Sequence, residues 1–177
     1  MTFLLDFISL KHTNAGMQHC AEELYTQSFP VSERRKWEDI LINLQNPYFD
    51  FFVITDGGTF VGIISLWRFD KFAYIEHFAV ECSKRQKGVG SQVLQLLKDK
   101  VKKPLVLEAE PPEDAISVKR INFYKKNGLS LLSEKYIQPP YYDGLPQVEL
   151  KIMTDWEDYD FCLIKHTLYK HVYNVQP

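Results

Sequence analysis

From Ala79 to Leu94 the chain reads Ala-Val-Glu-Cys-Ser-Lys-Arg-Gln-Lys-Gly-Val-Gly-Ser-Gln-Val-Leu, and its clearest chemistry lies there. An apolar run ends, a basic turn with two glycines follows, and then a helical pattern begins. Gly88 and Gly90 carry no Cβ, so the backbone can come close to a ligand. The start of the next helix offers unpaired N–H groups and the positive end of its dipole. Lys84, Arg85 and Lys87 add positive charge beside them. Such a turn suits a pyrophosphate. A strand-to-helix turn also takes glycine for its own geometry, and lysines decorate surfaces, so the spacing alone leaves both readings open. Two common phosphate loops do not fit. Gly-x-x-x-x-Gly-Lys-Ser/Thr is absent, and Gly-x-Gly-x-x-Gly would need a third glycine where Val93 stands.

These groups need a frame to hold them. Residues 2–10 read as a strand, and 15–28 as a helix with Met17, Cys20, Ala21, Leu24, Tyr25 and Phe29 recurring at three and four. Pro30 ends that helix. Ser32 starts a second one with Trp37, Ile40, Leu41 and Leu44 on one face, and Asn46-Pro47 stops it. Strands over 49–55 and 59–69 join through Asp56-Gly57-Gly58, a hairpin signal. Residues 73–81 form a third run before the glycine loop. A helix over 89–102, an apolar strand over 104–109 and a helix over 114–127 capped by Asn127-Gly128 come next. Strands over 129–137 and 146–153 precede an aromatic tail, from Asp155 to about Asn174, that is helical in pattern. This order predicts one α/β domain over residues 1–177, with a single mixed, mostly antiparallel sheet flanked by helices.

Two motifs together resemble a known family. Arg85-Gln86-Lys87-Gly88-Val89-Gly90 looks like the Arg/Gln-x-x-Gly-x-Gly/Ala loop of the GCN5-related N-acetyltransferase (GNAT) family. The strand ahead of it ends in Phe78-Ala79-Val80, in the family manner. About thirty residues later, Ile121-Asn122-Phe123-Tyr124-Lys125-Lys126-Asn127-Gly128-Leu129 resembles the family's helix ending in Tyr-x-x-x-Gly-Phe, with Leu129 in place of the usual Phe. The element order matches too. The resemblance implies an acyl-CoA N-acyltransferase-like fold whose sheet splays at the cofactor site. It implies acetyl-CoA as co-substrate and an amine as acceptor.

The resemblance also assigns residues. Backbone N–H groups of Gln86, Lys87, Gly88, Val89, Gly90 and Ser91, with the Arg85 side chain nearby, would hold the pyrophosphate. Phe78, Ala79 and Val80 would pair with the pantetheine arm like an extra strand, and a backbone N–H near Val80 would serve the thioester oxygen. Tyr124 would protonate the departing thiolate. A phenol near 10 can donate to a sulfur whose conjugate acid lies near 8.5. Ser117 stands where the family often has Asn, two turns before Tyr124 on the same face. The attacking amine needs a base. Glu76, which alternation puts on one face with Phe78 and Val80, is one candidate. Glu108, with Glu110 behind it, is the other, as base or amine anchor.

Composition narrows the rest. Aromatic residues make up 14 % and charged residues 25 %, as in globular chains. The 21 basic residues face 23 acidic ones, net −2, so no global positive field exists to hold a nucleic acid. Cys20, Cys82 and Cys162 are odd in number and widely spaced, so no disulfide framework is expected. The five histidines lack ligand spacing, so no metal is expected either. The apolar start is broken by Asp6, and no run approaches a bilayer span, so the expected place is the cytoplasm, away from membranes. The acceptor is expected to be a small-molecule amine, with a peptide N-terminus as the other option. Phe29-Pro30-Val31-Ser32-Glu33-Arg34 and Gln138-Pro139-Pro140-Tyr141 are the segments picked for its pocket. A catalytically silent acyl-CoA-binding module is the rival reading, and a homodimer is possible.

Overall fold

The computed structural model describes residues 3–176. The chain packs as two compact units. One takes the chain up to Pro30 and again Arg35–Lys103; the other takes Val31–Arg34 and the chain from Pro104.

In the first unit, strands β1 (Leu5–Ser9), β2 (Phe49–Asp56), β3 (Thr59–Arg68) and β4 (Ala73–Val80) pair antiparallel in that order. Gly57 and Gly58 turn β2 into β3 with φ of 55° and 83°, which side chains resist. Helix α1 (Ala15–Ser28) starts on Asn14, whose side chain accepts from Met17 N at 2.9 Å. Pairing lines up Phe51, Ser65 and His77 in one row. Tyr25 of α1 meets the rings of Phe51 and His77 at 6.1 and 4.8 Å, so α1 covers that face. Phe52, Ile64 and Phe78 form a row on the opposite face. Lys100 of α3 (Val89–Val101) lies 5.8 Å over Phe52 there. Helix α2 is shorter than expected, Trp37–Asn43, behind a single 3-10 turn at Val31–Glu33. Ile40 and Leu44 are buried, but Leu41 faces solvent, so the expected four-residue stripe narrows.

Gly62 is required by packing rather than by φ. A Cβ there would lie 2.6 Å from the Ala79 carbonyl oxygen on β4. Gly62→Ala should therefore push two strands apart, at about 1–3 kcal/mol of overpacking. That is a fall in Tm of roughly 2–12 °C for a chain of this size, read by calorimetry. An unchanged Tm would mean that β3 and β4 can separate freely.

In the second unit, β8 (Val148–Thr154) is the central strand. It pairs antiparallel with β5 (Leu105–Ala109), β6 (Ser130–Leu131) and β7 (Tyr136–Gln138). The strand expected over 129–137 is thus broken in two. Five steps from Leu131 to Tyr136 face only three from Met153 to Leu150, so two extra residues loop out. Helix α4 (Ala115–Lys126) begins in a capping box between Asp114 and Ser117 and ends at Asn127, with Gly128 at φ 86°. Helix α5 (Phe161–His171) starts on Asp160 and buries Ile164 and Leu168.

Candidate active site

The basic turn leaves β4 through a 3-10 turn at Cys82–Lys84. Gln86 and Gly88 then take φ of 60° and 90° before α3 begins. Left-handed backbone is easy for Gly88 and costs Gln86, a residue with a Cβ, of the order of 1 kcal/mol. The first helical bond runs from Gln92 N to Gly88 O, and no side chain caps the helix. The N–H groups of Val89, Gly90 and Ser91 therefore have no carbonyl one turn back to bind. The basic side chains brace the loop: Arg85 Nε donates to Val80 O at 2.8 Å, and Lys87 Nζ to Ser83 O at 2.9 Å. Such a start of helix can bind an anion.

On β4, Ala79 is buried, while Phe78 and Val80 are half-buried. Glu76 does not share their face. The β3–β4 register shifts between Ser65 and Leu66, which pair with His77 and Ile75, so Glu76 sits in a bulge. The bulge turns its carboxylate toward the α1 side of the sheet. There Oε1 accepts from Arg35 Nε at 3.0 Å and Oε2 from Trp67 Nε1 at 2.8 Å. The Glu76 side chain is 0 % exposed. Arg35 is buried as well; its guanidinium lies 5.6 Å over the Trp67 ring, and its N–H donates to the Tyr25 hydroxyl at 2.8 Å. Nothing in the sequence marked Arg35 as a partner of Glu76, because the two lie 41 residues apart.

The second unit carries Glu108, Tyr124 and Ser117. Glu108 stands on β5, half-buried, and its Oε2 accepts from the Tyr173 hydroxyl at 2.7 Å. Glu110 lies beyond the strand end and pairs with Arg120 of α4. Tyr124 is buried on α4, and burial pushes its phenol up to about 12, opposed weakly by the Arg120 charge. Its hydroxyl makes no hydrogen bond to the described residues. Ser117 is buried with its hydroxyl in the cap: it donates to Asp114 O at 3.0 Å and accepts from Asp114 N at 3.1 Å. Glu33, in the segment picked for the acceptor, has its carboxyl raised by burial and then by the Glu110 charge, with Arg120 opposing. Gln138, in the other picked segment, holds the Glu33 turn by donating to Ser32 O at 3.2 Å.

The family model for the acetyltransferase (GNAT) family matches residues 18–129, more than half of the chain. The chain belongs to the GNAT family. A protein from Bacteroides thetaiotaomicron assigned to the same family is 33 % identical, with a TM-score of 0.86 over 97 % of this chain and 99 % of that one. The GNAT fold, a sheet of β-strands flanked by helices, is thereby shown for this chain. The ribosomal-protein-S18-alanine N-acetyltransferase of Escherichia coli shares that fold at 20 % identity, with a TM-score of 0.59 over 89 % of this chain and 100 % of that one. An aminoglycoside 6′-N-acetyltransferase solved with coenzyme A shares it at 14 % identity, with a TM-score of 0.60 over 89 % and 99 %. No curated protein matches the sequence.

In this GNAT chain no group of three or more His, Cys, Asp or Glu side chains among the described residues could hold a metal ion. No helix among them is long and apolar enough to cross a membrane. The family's helix start and its Tyr-bearing helix both fall within the matched residues 18–129. Tyr136, Tyr169 and Tyr173, which bear on Glu108, fall outside them, and no motif announced their convergence.

Proposed function

We propose that this GNAT chain is an acetyl-CoA-dependent N-acyltransferase that acetylates an amine, a small molecule rather than a protein. The observation that carries the reading is the start of α3: free N–H groups, left-handed Gly88 and no side-chain cap. Backbone from Gln86 to Ser91 holds the pyrophosphate, and Phe78, Ala79 and Val80 lie along the pantetheine arm. The amine nitrogen attacks the thioester carbonyl directly, the new C–N bond forms, and the C–S bond breaks. Tyr124 gives its hydroxyl proton to the departing sulfur and recovers one from solvent. Glu108, rather than Glu76, takes the proton the amine loses, because Glu76 is paired with the Arg35 guanidinium, whereas the Tyr173 phenol that donates to Glu108 is neutral. Ser117 acts by holding the start of the helix that carries Tyr124.

The test is a thermal-shift titration with acetyl-CoA, CoA, ATP and NAD side by side. Acetyl-CoA at 100 times its Kd should add about 2.7 kcal/mol, roughly 5–11 °C. ATP and NAD should add far less. Gly88→Ala, forced to keep φ near 90°, should weaken the acetyl-CoA shift. No shift with either CoA species at millimolar concentration would remove the cofactor and the enzyme reading with it. A shift without turnover on any amine, followed by free thiol, would leave a silent CoA-binding module.

A further inference from the structure

Three carboxylates and the proposed acid share one arginine, and the transfer chemistry gives that arginine no part. Arg120 precedes Tyr124 by four residues on α4, so the two side chains are neighbours along one side of the helix. The buried stripe of α4 is Ser117, Ile121 and Tyr124. Arg120 lies at its border, with its side chain 43 % exposed. Its guanidinium is thus half-shielded from water and one turn from a buried phenol. It pairs with Glu110, which follows β5. Burial and then the Glu110 charge raise the Glu33 carboxyl, and Arg120 opposes them. Backbone hydrogen bonds hold the Asp114 carboxyl low, and Arg120 adds to them. Burial raises the Tyr124 phenol, and the Arg120 charge opposes it. Strands β5 and β6 pack against α4; β5 brings Glu108, and β6 brings no titratable side chain.

When Tyr124 gives its proton to the departing sulfur, negative charge builds on the phenol oxygen. That oxygen bonds to none of the described residues, so none of them donates a hydrogen bond to the charge as it forms. A fixed positive charge nearby, partly shielded from water, acts on it more strongly than it would in bulk solvent. Arg120 stays protonated throughout, so it stabilises the phenolate without exchanging a proton. Glu110 works the other way, because its pairing with Arg120 cancels part of the field that reaches Tyr124. We propose that Arg120 is a positioning residue for the transfer: its guanidinium stabilises the charge that builds on Tyr124 as the proton leaves, and Glu110 sets how much of that field is free to act. The inference rests on the reading of Tyr124 as the general acid of an amine acetyltransferase. An ion pair that served stability alone would lose the same bond whichever partner is removed. A tuning pair gives effects of opposite sign.

Two readouts test it on the full chain. The Tyr124 phenol is titrated by ultraviolet difference, each chain against the same chain carrying Tyr124→Phe, with circular dichroism confirming the fold at each pH. Turnover of acetyl-CoA with a panel of primary amines, n-butylamine first, is followed by free thiol. Arg120→Gln should move the phenol titration to higher pH and lower kcat about three- to tenfold, the size of a modest loss of acid strength. KM for acetyl-CoA should hold. Arg120→Lys, which keeps the charge, should restore most of the rate. Glu110→Gln should move the titration to lower pH and raise kcat. Should Arg120→Gln fail to fold, Glu110→Gln carries the test; should alkali unfold the chain first, the signs of the two kcat changes decide. A phenol that titrates at the same pH in the unaltered chain, Arg120→Gln and Glu110→Gln overturns the proposal. So does an equal loss of rate in both variants, the mark of a merely structural pair. A chain that turns over no amine loses the transferase reading, while the phenol titration still decides the tuning.

Discussion

Tyr124→Phe should lower kcat by about a hundredfold or more while leaving acetyl-CoA affinity and Tm nearly unchanged. The magnitude is that of losing a positioned general acid. Stability should hold because the phenol oxygen bonds to none of the described residues, so its removal orphans no protein group. The direction of the pKa shift refines the mechanism. At about 12 the phenol is a weaker acid than a thiol near 8.5. Complete transfer to a free thiolate is therefore uphill, by roughly 5 kcal/mol. Donation is most useful while the C–S bond is breaking, as charge builds on sulfur. The same shift keeps the group protonated across the working range, so kcat should show no falling limb from Tyr124 below about pH 11. A raised phenol also has a sign in stability. The folded chain holds that proton better than the unfolded chain does. Its contribution is whole below about 10 and is lost as pH rises toward about 12. The Phe variant should lack that part of the alkaline loss. Steady-state rates from pH 6 to 10 with a free-thiol readout, beside melting curves from pH 9 to 12, check both. A variant that turns over at the normal rate would return Tyr124 to the role of a buried aromatic.

Arg35→Ala should be the most damaging single change in the first unit. It leaves the Glu76 carboxylate, 0 % exposed, without its guanidinium. Removing one partner of a buried ion pair costs about 3–5 kcal/mol, because the other charge stays in a poor solvent. For a chain of this length that is a fall of roughly 6–20 °C in Tm. Glu76→Gln should cost less, since it leaves no naked charge. The double variant should recover part of what Arg35→Ala loses, which is a coupling a double-mutant cycle measures. The same variants decide what Glu76 is. As an anchor, Glu76→Gln lowers Tm and leaves the kcat of the folded enzyme within a few-fold. A collapse of kcat with Tm intact would make Glu76 the base after all.

Local features were legible because local backbone demands wrote them. Gly57-Gly58 and Asn127-Gly128 mark places where φ turns positive, and Pro30 and Pro104 follow helices α1 and α3 closely. The 3.6-residue stripe of α1 marked Ala21, Leu24 and Tyr25, which are buried, but also Cys20, which is exposed. The basic glycine turn and the tyrosine helix, in order and at their distance, pointed to the GNAT family that the comparisons then showed. Strict alternation failed at Glu76, because a bulge adds a residue and the sequence has no mark for it. The strand expected over 129–137 failed for a similar reason, as two residues loop out against β8.

The sequence by itself determined the order of most elements, the ends of α1, α3 and α4, the glycine turn and the family. All of these follow from side chains acting on their own stretch of backbone. The tertiary structure alone decided which carboxylate pairs with a guanidinium and which accepts from a phenol. Glu76 and Glu108 look alike on their strands, each an acid among apolar residues. One meets Arg35 and Trp67; the other meets Tyr136 of β7 and Tyr173, just beyond the C-terminal helix. A side chain's chemistry depends on what folding brings beside it, and partners that arrive from 41 or 65 residues away leave no periodicity to read.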